Sequence, residues 1–327
     1  MSLPSLLQKT LQLPAVAAPM FLASGPDLVI ETCKSGVVGS FPALNQRTSE
    51  GFEQWLITIN EALAKHGYGA GARVAPYAVN LIVHASNPRL EADLQLCIKH
   101  KVPIVITSLG AVPELVERVH EYGGLVFHDV TTVRHARKAA ATGVDGLILV
   151  AAGAGGHAGT LSPFALLAEV RQLFQGTLLL AGAISSGQDI AAAQQMGADL
   201  AYMGSRFINT QESTADPGHK KMIQCASAAD ILYTPNISGV AANFLKESIV
   251  NAGLNPDELA PKAGIDFGQE LTPGEKQGGA WSKIWSAGQG VGAIKDIPTV
   301  ANLVQQLKVE YKDAVLAHHE LAKPYLK

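Results

Sequence analysis

Residues 124–159 read GLVFHDVTTVRHARKAAATGVDGLILVAAGAGGHAG, and this stretch decides the fold. Two short runs, Gly124–Val130 and Asp145–Ala152, are apolar at most consecutive positions. That pattern belongs to strands buried on both faces, as in a parallel sheet covered by helices. Between them Thr132–Thr142 has helical spacing, opens on a threonine and stops at Gly143. Those are ordinary helix start and stop signals. The stretch is one β–α–β unit, and it closes on a glycine-rich loop.

The same rhythm extends in both directions. Further strand runs are Pro14–Met20, Gly36–Leu44, Ala75–Ile82, Val102–Leu109, Thr177–Ile184 and Asp199–Phe207. Helix candidates include Pro88–His100, Pro113–Tyr122, Pro163–Phe174 and Gly187–Met196. Eight successive β–α units fit a closed (β/α)₈ barrel (a TIM barrel) better than an open doubly wound sheet. No G-x-G-x-x-G follows the first strand, which further disfavours a dinucleotide-binding fold.

The rhythm breaks near residue 226. The expected organisation is a barrel built from 1–226 and 291–327, with 227–290 inserted after strand eight as a cap or dimerisation segment. Within the insertion Val240–Ala252 reads as a short helix, and a final helix from Pro298 to about Leu321 would close the barrel. An insertion there lies on the face of the βα loops, where barrel active sites form.

Composition excludes several function classes. Hydrophobic residues make up 47% and charged residues 16% of the 327-residue chain, a balance suited to a buried core. A net charge of −3 gives no field for nucleic acid or an anionic membrane. Cys33, Cys97 and Cys225 are far apart, as in reduced thiols of a cytoplasmic protein. Met1–Pro14 lacks the apolar centre of a signal peptide, and no apolar run is long enough to cross a bilayer. The expectation is a soluble, cytoplasmic protein, with a homodimer as one possible assembly.

Four constellations could carry chemistry. The loop Gly153–Gly159 surrounds His157 with glycines, which allow close backbone approach to a ligand. Histidine titrates near neutrality and can act as base, acid or hydrogen-bond donor; the alternative is a flexible loop with an incidental histidine. Two loops, Ala181-Gly182-Ala183-Ile184-Ser185-Ser186-Gly187 and Met203-Gly204-Ser205-Arg206-Phe207, end strands seven and eight, where barrels often bind phosphate. Ser205 would add a donor, and Arg206 would pair with the charge. Asn80 at the end of strand three points to a ligand or caps a loop. The pair His128–Asp129 ends strand five, either at a ligand or as a satisfied rim pair. His135, inside a helix, reads as structural. Gly278–Trp281 and Trp285 could wall the pocket or serve ordinary packing. No Ser/His/Asp set, metal-spaced cluster or Schiff-base lysine stands out, so no metal is expected.

These motifs in this order resemble the nitronate monooxygenase family, formerly 2-nitropropane dioxygenases, and related FMN-dependent quinone and enoyl reductases. The resemblance rests on Ala18-Pro19-Met20, Val79-Asn80-Leu81, Thr132–Ala136, Gly155–Gly159, the Gly182 loop, Met203–Phe207 and Ile284–Gln289. It implies FMN, with its phosphate held around Gly182, Ala183, Gly204 and Ser205 and with Ala181 also binding the cofactor. Ala18, Pro19 and Met20 would lie along the flavin ring, with Asn80, His128 and Gly155 also in contact, and His157 would be the catalytic histidine. The implied reaction oxidises alkyl nitronates (or nitroalkanes) with O2 to a carbonyl compound and nitrite. The alternative is an NAD(P)H-dependent FMN reductase of quinones or enoyl thioesters. One departure stands out: where the family carries a lysine after the strand-five histidine, this chain has Asp129. A carboxylate there would oppose an anionic reduced flavin.

Overall fold

The computed structural model describes residues 3–69, 73–110, 112–262, 264 and 283–326; the expected aromatic wall at Gly278–Trp281 lies outside them. In chain order the elements are α1 (Ser5–Thr10), β1 (Ala15–Ala17), α2 (Pro26–Lys34), β2 (Gly39–Pro42), α3 (Ser49–Lys65), β3 (Tyr77–Ile82), α4 (Leu90–Lys99) and β4 (Ile104–Ser108). Next come α5 (Pro113–Glu121), β5 (Leu125–Val130), α6 (Val133–Ala140), β6 (Gly146–Val150), β7 (Gly156–His157), α7 (Pro163–Leu173), β8 (Thr177–Ala181), α8 (Gly187–Gln195) and β9 (Leu200–Met203). After these follow α9 (Ser205–Ile208), α10 (Pro217–Cys225), β10 (Ile231–Thr234), β11 (Ala242–Leu245), α11 (Lys246–Asn251) and α12 (Val300–Ala322).

Eight parallel strands adjoin in the order β1, β9, β8, β6, β5, β4, β3, β2. The ring closes between β1 and residue 38, where Ala17 N donates to Val38 O at 2.8 Å and Val38 N to Ala15 O at 3.3 Å. It is a (β/α)₈ barrel. Alternation along each strand divides the core into two layers. Phe127, Ile106, Ile148, Leu179 and Leu200 fill the barrel interior. Val126, Val105, Leu147, Leu178 and Ala201, one position away in each strand, pack outward under the helices. Both sets are buried, which is why the strand runs lacked a polar face. Truncating an interior side chain such as Phe127 to alanine would cost about 3–5 kcal/mol.

All eight expected barrel strands are present, with trimmed ends. The eighth stops at Met203, because Ser205–Ile208 turns into α9. Helix α12 closes the structure against α8, burying Val300, Leu303, Val304 and Leu307. The approach is close: a Cβ on Gly187 would lie 2.2 Å from Leu307 O.

The stretch Val240–Ala252 is a correction. Only its second half is helical; Ala242–Leu245 forms β11. This strand pairs antiparallel with β10 on one side and with β7 on the other. Backbone partners far away in sequence outweigh local helix preference here. One of them, β7, carries His157, so the inserted segment is joined by sheet hydrogen bonding to the barrel loop at the site.

Candidate active site

A cavity of about 1260 Å³ opens at the C-terminal ends of the barrel strands. Every cofactor or catalytic position expected from sequence lines it: Ala18, Pro19, Met20, Asn80, His128, Gly155, His157, Ala181, Gly182, Ala183, Gly204 and Ser205.

Its floor is the last inward-facing layer of the barrel. Asn80 Nδ2 donates to Ser108 Oγ at 2.7 Å and to Ile106 O at 3.3 Å. The Ser108 hydroxyl in turn donates to Asp129 Oδ2 at 2.5 Å. A polar chain thus crosses the ends of β3, β4 and β5 above an apolar interior. Burial pushes the Asp129 carboxyl up to about 6, against the lowering effect of the Ser108 bond. His128, next in the strand, belongs by alternation to the other face. Its Nδ1 lies 2.7 Å from Thr107 Oγ1, and burial brings the imidazole down to about 4, helped by nearby His135 and Lys138. The two members of the expected pair have separate environments and separate partners.

The Ala18-Pro19-Met20 turn is fixed by a residue that sequence reasoning missed. Asn45 Nδ2 donates to Met20 O at 3.1 Å and Ser24 O at 2.8 Å, while its Oδ1 accepts from Leu22 N at 3.1 Å. Leu22 (φ 60°), Leu109 (φ 66°) and Ala183 (φ 55°), all on the cavity, have left-handed backbone. Non-glycine residues seldom adopt it, and it concentrates where surrounding structure imposes it.

The histidine loop is held from outside the barrel. Ser286 Oγ accepts from Gly156 N at 2.6 Å and donates to Asn243 O at 2.6 Å. Asn243 Nδ2 donates to Ala154 O at 2.7 Å, and Tyr233 OH to Ala158 O at 3.0 Å. In β7, His157 stands opposite Ala242. His157 lines the cavity, its Nε2 is buried, and desolvation lowers the imidazole to about 4, so it is uncharged at neutral pH.

A further pocket histidine was not foreseen. His219 on α10 stacks on Trp285 with ring centroids 5.3 Å apart and planes 10° from parallel. Its Nε2 lies 3.0 Å from Ser286 O, which requires a proton on that nitrogen, and burial lowers the ring to about 4. Its partner Trp285 lies far along the chain, so no local spacing could have marked it.

Beside the histidine loop, after the neighbouring strands, lie the turns that follow β8 and β9. A Cβ on Gly182 (φ +142°) would lie 2.8 Å from Ala152 O. Gly204 differs: a Cβ there would meet nothing nearer than Met20 Sδ at 3.9 Å and Ala18 Cβ at 4.0 Å. That glycine leaves room that the protein itself does not fill. Ser205 Oγ accepts from Gly288 N at 2.8 Å, leaving the hydroxyl hydrogen to donate. Other amides are already used: Ser185 N and Ser186 N go to Asp189 Oδ2, and Ala183 N to Gly153 O. Arg206 does not serve this turn. It is buried and pairs with Asp296 at 2.7 Å, which corrects the expectation that it meets a ligand's charge.

The wall at α6 carries two cations, Arg134 and Lys138. Arg134, His135 and Lys138 all line the cavity, so His135 has a place at the site and not only in a helix. Among the described residues no His/Cys/Asp/Glu group could hold a metal, and no helix is long and apolar enough to cross a membrane.

The nitronate monooxygenase family model matches residues 5–310. The chain belongs to this family. As a nitronate monooxygenase family member it is an oxidoreductase. It is similar to the putative monooxygenase Rv1533 of Mycobacterium tuberculosis, 28% identical over 71% of this chain and 65% of that protein, so the match spans just under two thirds of that relative. It is also similar to the 5-hydroxy-7a-methyl-1-oxo-octahydro-1H-indene-4-carboxyl-CoA dehydrogenase of Rhodococcus jostii, 25% identical over 90% of this chain and 91% of that one. Among solved structures, nitroalkane oxidase from Streptomyces ansochromogenes shares the fold with a TM-score of 0.79 and 24% identity, covering 96% and 99% of the two chains.

Proposed function

We propose that this family member is an FMN-dependent oxidoreductase that oxidises alkyl nitronates with O2 to a carbonyl compound and nitrite. One observation carries the reading: His157, uncharged near neutrality, lines the same cavity as the Gly204–Ser205 turn and stands on a loop braced by Ser286 and Asn243. The residues present fit FMN. Gly204 leaves open space, Ser205 retains a donor hydrogen, and the cavity exceeds the roughly 300–1,000 Å³ of ordinary ligand pockets. Ser205 and the backbone at Gly182 and Gly204 would hold the phosphate, with Ala18, Pro19, Met20 and Asn80 along the ring. Bound there, FMN would supply a two-electron redox centre.

The environment of His157 decides what it would do. A base works best when its pKa lies near the working pH. An imidazole lowered to about 4 is a weak base for removing a carbon proton. As a neutral ring it can still donate one N–H to an anionic oxygen, an interaction strengthened where water is excluded. The nitronate, already deprotonated, is therefore the preferred substrate form over the neutral nitroalkane. A cytoplasmic setting and a homodimer belong to the same reading, the former supported by the unpaired Cys33, Cys97 and Cys225.

The test is anaerobic mixing of the holoenzyme with propionate 3-nitronate. Flavin absorbance should fall within a turnover, and nitrite should accumulate in air; the absence of both changes would remove the proposal.

A second reading is favoured by the cationic wall. Arg134 and Lys138 face a cavity larger than a small nitronate needs, and neither joins a described ion pair. Such cations suit the phosphates of a nicotinamide dinucleotide or of a thioester carrier. The likeness to a CoA dehydrogenase supports the same reading. Rapid flavin reduction by NADPH or NADH, weakened in Arg134→Ala and Lys138→Ala, would favour a reductase of quinones or enoyl thioesters.

A further inference from the structure

Asp129 is an acid without a counterpart. It ends β5 on the barrel floor, lines the cavity, and receives one hydrogen bond, from Ser108 to Oδ2. Among the described residues its buried Oδ1 has no hydrogen-bond partner, and none of the ion pairs includes it. A buried carboxylate lacking a cation is costly, and the cost falls when the group takes a proton. The chain feeding it is one-directional: Asn80 donates to Ser108, and Ser108 donates to Asp129. Asp129 is the acceptor end, and it is the only member that can gain a proton.

We propose that Asp129 is the proton reservoir of the cavity, a carboxylate that takes up one proton when negative charge develops on the ligand above it and returns the proton when that charge leaves. This rests on the flavin reading and adds a role for a chain residue within it. The proton comes from solvent: an O–H bond of a hydronium ion breaks as one forms on Asp129, and the electrons that charge the flavin come from its organic substrate, the nitronate, or from dithionite in the test below. The direction follows from electrostatics, since added negative charge nearby stabilises the protonated acid.

Other titratable groups share the cavity without replacing the reservoir. Tyr202 on β9 faces Asp129, and its phenol is pushed up by burial and by the Asp129 charge. Arg134, His135 and Lys138 on α6, His128 on β5 and His157 after β6 share the cavity. The Ser108 bond favours the carboxylate, whereas burial favours the acid. The raised carboxyl, at about 6, leaves Asp129 mostly ionised at neutral pH and ready to accept a proton.

The experiment is infrared difference spectroscopy on the FMN-loaded protein, oxidised against dithionite-reduced, above neutral pH. Reduction should bring up a carboxylic C=O band that Asp129→Asn abolishes. Ser108→Ala removes a bond that favours the charged form, so it should retain the band and extend it to higher pH. No new carboxylic band, or one that survives in Asp129→Asn, overturns the proposal. Failure of the chain to bind FMN would defeat the flavin reading alone. The proposal would then be judged on a pH titration of the same band in the ligand-free protein. A midpoint above the ordinary carboxylate range, lost in Asp129→Asn, supports it, and a midpoint within that range overturns it.

Discussion

The hydroxyl of Ser286 accepts the amide hydrogen of Gly156 at 2.6 Å, and through it the C-terminal segment holds the loop that carries His157. The same oxygen donates to Asn243 O, so three distant parts of the chain meet at one side chain. The brace fixes backbone and not the imidazole itself, which makes Ser286 a positioning residue.

Ser286→Ala should leave the Gly156 N–H and the Asn243 carbonyl without this partner, at a cost of about 1–3 kcal/mol. Misplacing a reacting group by a fraction of an ångström is expensive in rate. We expect kcat/KM for propionate 3-nitronate to fall roughly tenfold or more, with partial rescue by Ser286→Thr. Steady-state kinetics beside a thermal melt separates the two effects; a variant that melts lower but turns over normally would remove the positioning role.

The two glycines Gly204 and Gly187 should respond oppositely to alanine. At Gly204 the new Cβ meets only Met20 Sδ at 3.9 Å and Ala18 Cβ at 4.0 Å, so stability should stay within about 0.5 kcal/mol. The methyl would occupy the proposed cradle, and FMN affinity should weaken about tenfold, equivalent to 1.4 kcal/mol. At Gly187 the Cβ would lie 2.2 Å from Leu307 O, and α12 must move away from α8, at a cost of about 1–3 kcal/mol. Fluorescence titration with FMN and urea unfolding give both numbers.

Stability should fall steeply in mild acid. His128, His157 and His219 are each lowered to about 4 from 6.5 by burial. Between those values the unfolded chain binds their protons and the folded chain does not, so the stabilisation present above pH 6.5 is lost as pH drops toward 4. Asp129, raised from 3.8 to about 6, acts in the opposite sense across nearly the same window. The net effect is near two protons, or about 3 kcal/mol per pH unit around pH 5. Asp129→Asn removes the offset, and its stability should decline more steeply with acid. Chemical denaturation at a series of pH values measures both slopes.

Much of the fold was legible because a barrel strand buried on both faces leaves an unbroken apolar run, as in residues 145–152. The ends were less so: Ser205–Phe207 falls within the expected eighth run but turns helical as part of α9. Val240–Ala252 was misread because β11 takes its conformation from β7 and β10, which local spacing does not reveal. At the site, glycine-rich loops and strand-end polar residues were visible in the sequence, and the residues expected around FMN line one cavity. Asn45, His219, Asn243 and Ser286 did not, since each acquires its role only through contact across the fold. Arg206 looked functional by its place after Gly204 and Ser205, but its side chain turns back to Asp296.

The most direct measurement is an FMN titration of the purified protein, followed by the visible spectrum, for wild type, Gly204→Ala and His157→Ala. The expected result is one flavin bound per chain, weakened by Gly204→Ala, retained in His157→Ala, and bleached by propionate 3-nitronate under anaerobic conditions in wild type far faster than in His157→Ala. A protein that is colourless as purified and takes up no added FMN would contradict it.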